Sequence, residues 1–338
     1  MASTFKNFLN NDIASTRTLL HEAIPITGSI VSGTYLENGD VETNIKNYTH
    51  GQFQSIYDYP YLSSSANHIF DISMGFSNDS PLSGSDGVQV NEKINMYNQM
   101  AQILVGPDVS GNVRMFDRNG RPADKEADTR GGTSKMDSVF FLNFARLLTK
   151  DEKKKGSFSV NFYTGAMEDQ GALNTSLLRI GNGDGGHLTL QDHGANTSYK
   201  VNSPSGEYGL LYSASGQTTT DDKALGLLYY QAGIAVITSS IFRSPNTYDL
   251  PFSNSSIANL ATRHTNTNDA NTLIYDKGGP FGMVPNSTLD NVTGTIENCF
   301  VSGSISASCG GVRNALHELS FNNTTELNST IYFCRASH

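Results

Sequence analysis

The chain has 338 residues, enough for one large domain or two of ordinary size. Charged residues make up only 16% and hydrophobic residues 37%, with 32 glycines and an excess of Ser, Thr and Asn, a mixture that favours strands and turns and excludes an all-helical protein. A formal net charge of -9 argues against a surface built to hold nucleic acid, which would carry a basic face.

The first residues, Met1 to Asn11, lack the basic, apolar and cleavage regions of a signal peptide, so the protein is expected to fold where it is made. No window approaches the roughly 20 consecutive apolar residues of a membrane-spanning helix. Between Phe5 and Ile24, the residues Phe5, Phe8, Leu9, Ile13, Leu19, Leu20, Ala23 and Ile24 recur at three- and four-residue intervals. That spacing predicts one or two short amphipathic helices, stopped at Pro25. Residues 29–75 carry β-branched and aromatic clusters broken by Gly33, Asn38-Gly39-Asp40, Gly51 and Pro60, the pattern of strands joined by tight turns.

From Val90 to Val105 the helical spacing of Ile94, Tyr97, Met100, Ala101 and Leu104, ended by Gly106-Pro107, predicts the clearest helix in the chain. Residues 117–135 contain almost nothing apolar and read as an exposed, mobile loop. Val139 to Leu148 and Gly156 to Tyr163 frame the charged run Lys150-Asp-Glu-Lys-Lys-Lys155, read as a solvated connection, and Ser157 to Phe162 alternates as a half-buried strand does. Gly209-Leu-Leu-Tyr212 and Gly226-Leu-Leu-Tyr229 echo each other and predict a buried hairpin, with Ala232 to Ile241 continuing as an apolar run. Residues 244–294, rich in Asn, Thr, Ser and Pro, suit an insertion or a partner-contacting arm. The expected fold is therefore mainly β with a few short helices, β-sandwich-like or α+β, with long polar loops. Its expected division is a mixed region over 1–135 and a β-rich domain over 136–338.

Each chemical motif fails at a named position. Gly181-Asn-Gly-Asp-Gly-Gly186 matches neither phosphate-loop nor dinucleotide spacing, and Asp184 alone offers too few oxygens for calcium. His187, Asp192 and His193 lie close together but match no structural zinc spacing and read as solvent-facing strand or turn residues. His317-Glu318 and His21-Glu22 open like a zinc-protease motif, but Phe321 and Pro25 stand where the second histidine belongs. Gly75 to Asp79 and Gly303 to Ser306 fall short of a nucleophile elbow. Glycoside hydrolysis leaves no local motif, and the absence of Trp weakens a sugar-stacking site, although 15 Tyr could substitute. Cys299, Cys309 and Cys334, an odd and sparse set, read as free thiols. The Asn-x-Ser/Thr triplets at Asn47, Asn254, Asn286 and Asn328 are attributed to composition. No catalytic, cofactor-binding or metal-binding residue is assigned, and the chain is expected to be a soluble structural building block, not an enzyme.

Three stretches carry a family resemblance. They are Ile45-Lys-Asn-Tyr-Thr-His-Gly-Gln-Phe-Gln-Ser-Ile-Tyr-Asp-Tyr-Pro-Tyr-Leu-Ser-Ser-Ser-Ala-Asn-His68, Leu227-Leu-Tyr-Tyr-Gln-Ala-Gly-Ile-Ala-Val236 and Phe321-Asn-Asn-Thr-Thr-Glu-Leu-Asn-Ser-Thr-Ile-Tyr-Phe-Cys-Arg335. Together they resemble virion structural proteins of large contractile-tailed marine phages of the cyanophage myovirus type. The resemblance implies a tail, neck or baseplate component, with the baseplate preferred. It implies assembly in the host cytoplasm, residence in the virion, and partners that are other copies of the chain and other virion proteins. It brings no catalytic residues; no cofactor, nucleic acid or membrane is expected, and contact with a host surface is left open. The alternatives are a receptor-binding or glycan-cleaving tail protein and a capsid or head decoration protein. Similar proteins continue past the strand that ends near Cys334, so the resemblance leaves open whether the chain is complete at His338.

Overall fold

A computed structural model describes residues 7–27, 35–37, 40–80, 83, 87–122, 134–163, 187–214, 224–242 and 304–334. The expectations for the glycine-rich stretch 181–186, for Cys299 and for the polar region 244–294 lie outside the described residues.

The N-terminal part contributes β1 (Ile13–Thr27), β2 (Tyr35–Glu37), β3 (Asp40–Glu42), β4 (Ile45–Asn47), β5 (Gln54–Tyr57), β6 (His68–Phe76) and the helix α1 (Val88–Leu104). Next come β7 (Phe116–Asp117), β8 (Lys135–Met136), β9 (Ser138–Phe144), β10 (Glu152–Lys153), β11 (Ser159–Tyr163) and β12 (His187–Gln191). The chain then forms β13 (Tyr208–Ser213), β14 (Ala224–Tyr229), β15 (Ile234–Thr238), the helix α2 (Ile305–Ala315) and β16 (Leu316–Tyr332). Single helical turns follow β9 and β12. The mainly β class with few helices is borne out.

One antiparallel sheet dominates, in the order β1-β16-β11-β12-β13-β14-β15-β9-β6-β5-β4, with β10 attached to β16. It takes strands from both sides of residue 135: β6 pairs with β9, and β1 pairs with β16 over the whole of both strands. The sheet curls on itself. Phe144 of β9 meets Phe321 of β16 at 5.1 Å and Phe158 at 6.0 Å, although β11 to β15 lie between β9 and β16 in the strand order. Inside the curl sit Phe70, Ile72, Met74, Phe140, Leu142, Leu190 and Leu319, all buried. The opposite face of the central strands buries Val139, Phe141, Tyr208, Leu210, Tyr229 and Val236 under Tyr97, Ala101 and Leu104 of α1. Because these strands are covered on both faces, they read as continuous apolar runs with no alternation. The predicted hairpin is β13 and β14, paired from Tyr208↔Tyr229 to Tyr212↔Ala224.

Gly75 sets the approach of α1 to β6. A Cβ there would lie 2.7 Å from the Tyr97 backbone N and 2.9 Å from the Lys93 carbonyl, so only glycine lets the helix settle against the strand. The Tyr97 hydroxyl donates to the Met136 carbonyl at 2.7 Å and accepts from the Phe116 N–H at 3.0 Å, which ties α1 to β7 and β8. The helix α2 touches β5, β6 and β16 and so bridges the two limbs of the curl.

Three sequence expectations are corrected. From Ile13 to Ile24 the predicted helices are replaced by β1, after a single 3-10 turn at Asn10–Asp12. Its residues pair one for one with β16, and long-range ladder hydrogen bonds outweigh a weak local periodicity. The charged run 150–155 is no solvated connection throughout, because Lys153 is completely buried. The polar loop 117–135 stands on an ordered base, since Asp117 is buried, accepts from Ser134 at 2.8 Å and ion-pairs with Lys135 at 2.6 Å. Residues 123–133 of that loop lie outside the described residues.

Candidate functional site

The strongest candidate surface is built by the two ends of the described chain. β1 and β16 pair from Ile13↔Tyr332 to Thr27↔Glu318. The other edge of β16 is covered by β11 up to Ser320 and by β10 at Asn323 and Thr324. Beyond that point, among the described residues, Ile13–Leu20 and Thr325–Tyr332 form a ribbon of two strands, about 25 Å long at the usual rise per residue. A two-stranded ribbon alone in water is marginally stable.

Both faces of the ribbon show apolar side chains. Leu20, Leu327 and Ile331 lie on one face, and Ile13, Leu19 and Tyr332 on the other, each between 40% and 57% exposed. Phe8 packs on Tyr332 at 5.4 Å and is itself half exposed. Polar pairs hold the strands together: Thr16 and Ser329 share a hydroxyl hydrogen bond of 2.8 Å, and Arg17 pairs with Glu326. Hydrogen bonds from Asn328 and then Arg17 hold the Glu326 carboxyl below the usual glutamate range. The Asp151 carboxylate accepts from the Glu326 N–H at 2.8 Å and anchors the ribbon to the body.

A second surface lies at the opposite edge of the sheet, around β4 and β5. Tyr48, His50 and Phe53 contact one another with ring centroids 4.8 to 5.1 Å apart, and the Lys46 ammonium lies 4.9 Å over Tyr48. Tyr57 touches His68 at 5.4 Å and Tyr61 at 6.3 Å. The Asp71 Oδ1 accepts from the Ser55 hydroxyl at 2.5 Å and lies 2.7 Å from His68 Nε2. Burial, and next Tyr48, push the Tyr57 hydroxyl up from its ordinary range. The neighbouring Asp58 carboxylate is taken up by Asn67, from its backbone N–H at 2.6 Å and its amide at 2.9 Å.

The motif residues are placed as follows. Asp192 is buried, not solvent-facing as expected; it accepts from the Gly156 and Phe158 N–H groups and from the Tyr230 hydroxyl, a turn anchor whose burial raises its pKa. His193 is exposed on the same turn, and the side chain of His187 lies outside the described residues. His21-Glu22 and His317-Glu318 are on strands, where successive side chains point to opposite faces, which cannot present a helical metal pair. Cys309 is buried with its Sγ 3.2 Å from the Ile72 carbonyl, while Cys334 is exposed. No group of His, Cys, Asp or Glu that could hold a metal occurs among the described residues. A small cleft beside the base of the 117–135 loop, with room for about one water, is lined by Leu104, Asp117, Asn202, Tyr208 and Tyr229, with Asp117 already engaged by Ser134 and Lys135.

Sequence reasoning missed the ribbon and Lys153. The ribbon's apolar residues were visible but were assigned the wrong period, and nothing in the run Lys153-Lys-Lys155 marks the first lysine as the buried one. No family model, curated protein or solved structure matches the chain. No helix among the described residues is long and apolar enough to cross a membrane.

Proposed function

We propose that the chain is a non-enzymatic structural subunit of a tailed-phage virion, in the tail, baseplate or neck apparatus, and that it works through protein–protein assembly contacts. The observation that carries this reading is the β1/β16 ribbon: among the described residues no third strand pairs with Ile13–Leu20 or Thr325–Tyr332, and with apolar side chains on both faces the ribbon gains most by pairing with and packing against a neighbour. Burying the exposed half of each ribbon leucine or isoleucine contributes about 1 kcal/mol, so Ile13, Leu19, Leu20, Leu327 and Ile331, with Tyr332 beside them, supply a useful docking energy. The likeness of residues 45–68, 227–236 and 321–335 to myovirus structural proteins points to the virion as the setting. The partners are then copies of the chain and other virion proteins, with assembly in the host cytoplasm and without nucleic acid, membrane or cofactor.

The test is sedimentation of the full chain with imaging of the assembly. The reading expects oligomers, with three-fold or six-fold symmetry supporting a tail position. It also expects the double variant Leu327→Asp, Ile331→Asp to dissociate into monomers that keep the β-rich circular dichroism spectrum. A wild-type chain that stays monomeric at all concentrations, with or without the other virion proteins, sinks it. A second reading, a receptor-binding or glycan-cleaving tail protein, is favoured by the aromatic edge at Tyr48, His50, Phe53 and Tyr57 next to Asp71. Binding of an oligosaccharide that is lost in Tyr48→Ala would move the assignment there. A head decoration protein would show instead the symmetry of a capsid lattice.

A further inference from the structure

Lys153, Asn323 and Glu22 stand in one cross-strand row. Asn323 of β16 is the register partner of Lys153 on β10 and of Glu22 on β1, so the three side chains share one face of the sheet. The Lys154 N–H donates to the Asn322 carbonyl, which makes Lys153 and Asn323 a non-hydrogen-bonded pair, the kind whose side chains come closest. Both are fully buried. The Lys153 Nζ has no hydrogen-bond partner among the described residues and lies between two aromatic rings, 3.1 Å from the Phe321 centroid and 3.7 Å from that of Phe144. Removal from water holds this amine well below the ordinary lysine range. Loss of its proton would leave this amine with a free lone pair, which makes it a nucleophile.

The carboxamide of Asn323 is held on its other side. Its oxygen accepts from the Glu22 N–H at 3.2 Å, which polarises the carbonyl, and its Nδ2 donates to the Leu148 carbonyl at 2.9 Å. The Glu22 Oε2 lies 3.4 Å from the same Nδ2, within reach of the nitrogen that would leave. We propose that Lys153 and Asn323 form an intramolecular isopeptide bond, with Glu22 relaying the proton.

In this reaction the Lys153 Nζ attacks the Asn323 Cγ and the new C–N bond forms. The Cγ–Nδ2 bond then breaks, and a proton passes from the attacking amine through the Glu22 carboxyl to Nδ2. One amine and one carboxamide give one secondary amide and one ammonia, with no oxidant or other reactant. The bond welds β16 to β10 at the point where the ribbon leaves the body, so that a load carried by the ribbon passes into the core through a covalent link. It also removes the unpaired amine from the interior.

Denaturing mass spectrometry of the full wild-type chain tests this without any variant. The expected result is a chain lighter than its sequence by one ammonia, and a branched peptide in the digest joining Lys153 to Asn323, which separates the bond from a succinimide at an asparagine. Lys153→Met and Asn323→Ala each restore the full sequence mass, and Glu22→Gln restores it wholly or in large part. A wild-type chain at its full sequence mass, with Lys153 and Asn323 recovered in separate peptides, overturns the proposal. Complete cross-linking in Glu22→Gln removes Glu22 from it.

Discussion

Gly75 shows how a single residue can decide the packing of a helix on a strand. In Gly75→Ala the new methyl meets backbone atoms of α1, which cannot rotate aside as a side chain can. The helix must lift, at a cost of about 3 kcal/mol in the range of core overpacking. Urea unfolding checks this as a lower midpoint with an unchanged slope. The cysteines differ for a related reason. Burial pushes the Cys309 thiol far up, and its sulfur is enclosed, while Cys334 lies at the exposed end of the ribbon. Iodoacetamide at pH 8 should therefore label Cys334 in the folded protein and Cys309 only after unfolding, as peptide mapping would show. Fast labelling of native Cys309 would mean that α2 opens readily from β6.

At the scale of elements, α1 was legible because its apolar residues follow a period that no other structure satisfies, with Gly106-Pro107 as a stop. The β1 segment was not, because the same apolar residues that suit a helix also suit an exposed ribbon, and its partner lies some 300 residues away. The ribbon carries a pH dependence whose sign is set by Glu326. Its folded pKa is depressed by Asn328 and Arg17, so its stabilising contribution is complete above the ordinary glutamate range and is lost as the pH falls through the depressed value. Amide exchange in Ile13–Leu20, corrected for its intrinsic rate, should therefore accelerate on acidification in the wild type. In Glu326→Gln the ribbon should start looser and show less of that acid response. Equal acid responses in the two proteins would show that the Arg17–Glu326 pair does not hold the ribbon.

For the whole molecule the decisive fact is that one sheet draws on both halves of the chain. β6 lies between β5 and β9, and β1 closes on β16, so a cut at 135/136 divides both pairings between the fragments and exposes Phe140, Phe141 and Leu142. Fragments 1–135 and 136–338 should each fail to unfold cooperatively alone, and mixing them should restore part of the circular dichroism of the intact chain. A cooperative 136–338 fragment would establish it as a domain in its own right. The sequence by itself determined the β-rich class, the position of α1, the buried β13/β14 hairpin and the failure of each catalytic motif, because these depend on composition, period and spacing within short windows. Only the tertiary structure decided that the N-terminal segment is a strand, that Lys153 is the buried lysine of its run, and that Glu22, Lys153 and Asn323 share a row. Those outcomes depend on pairing between distant segments, where the energy of ladder and burial exceeds any local preference.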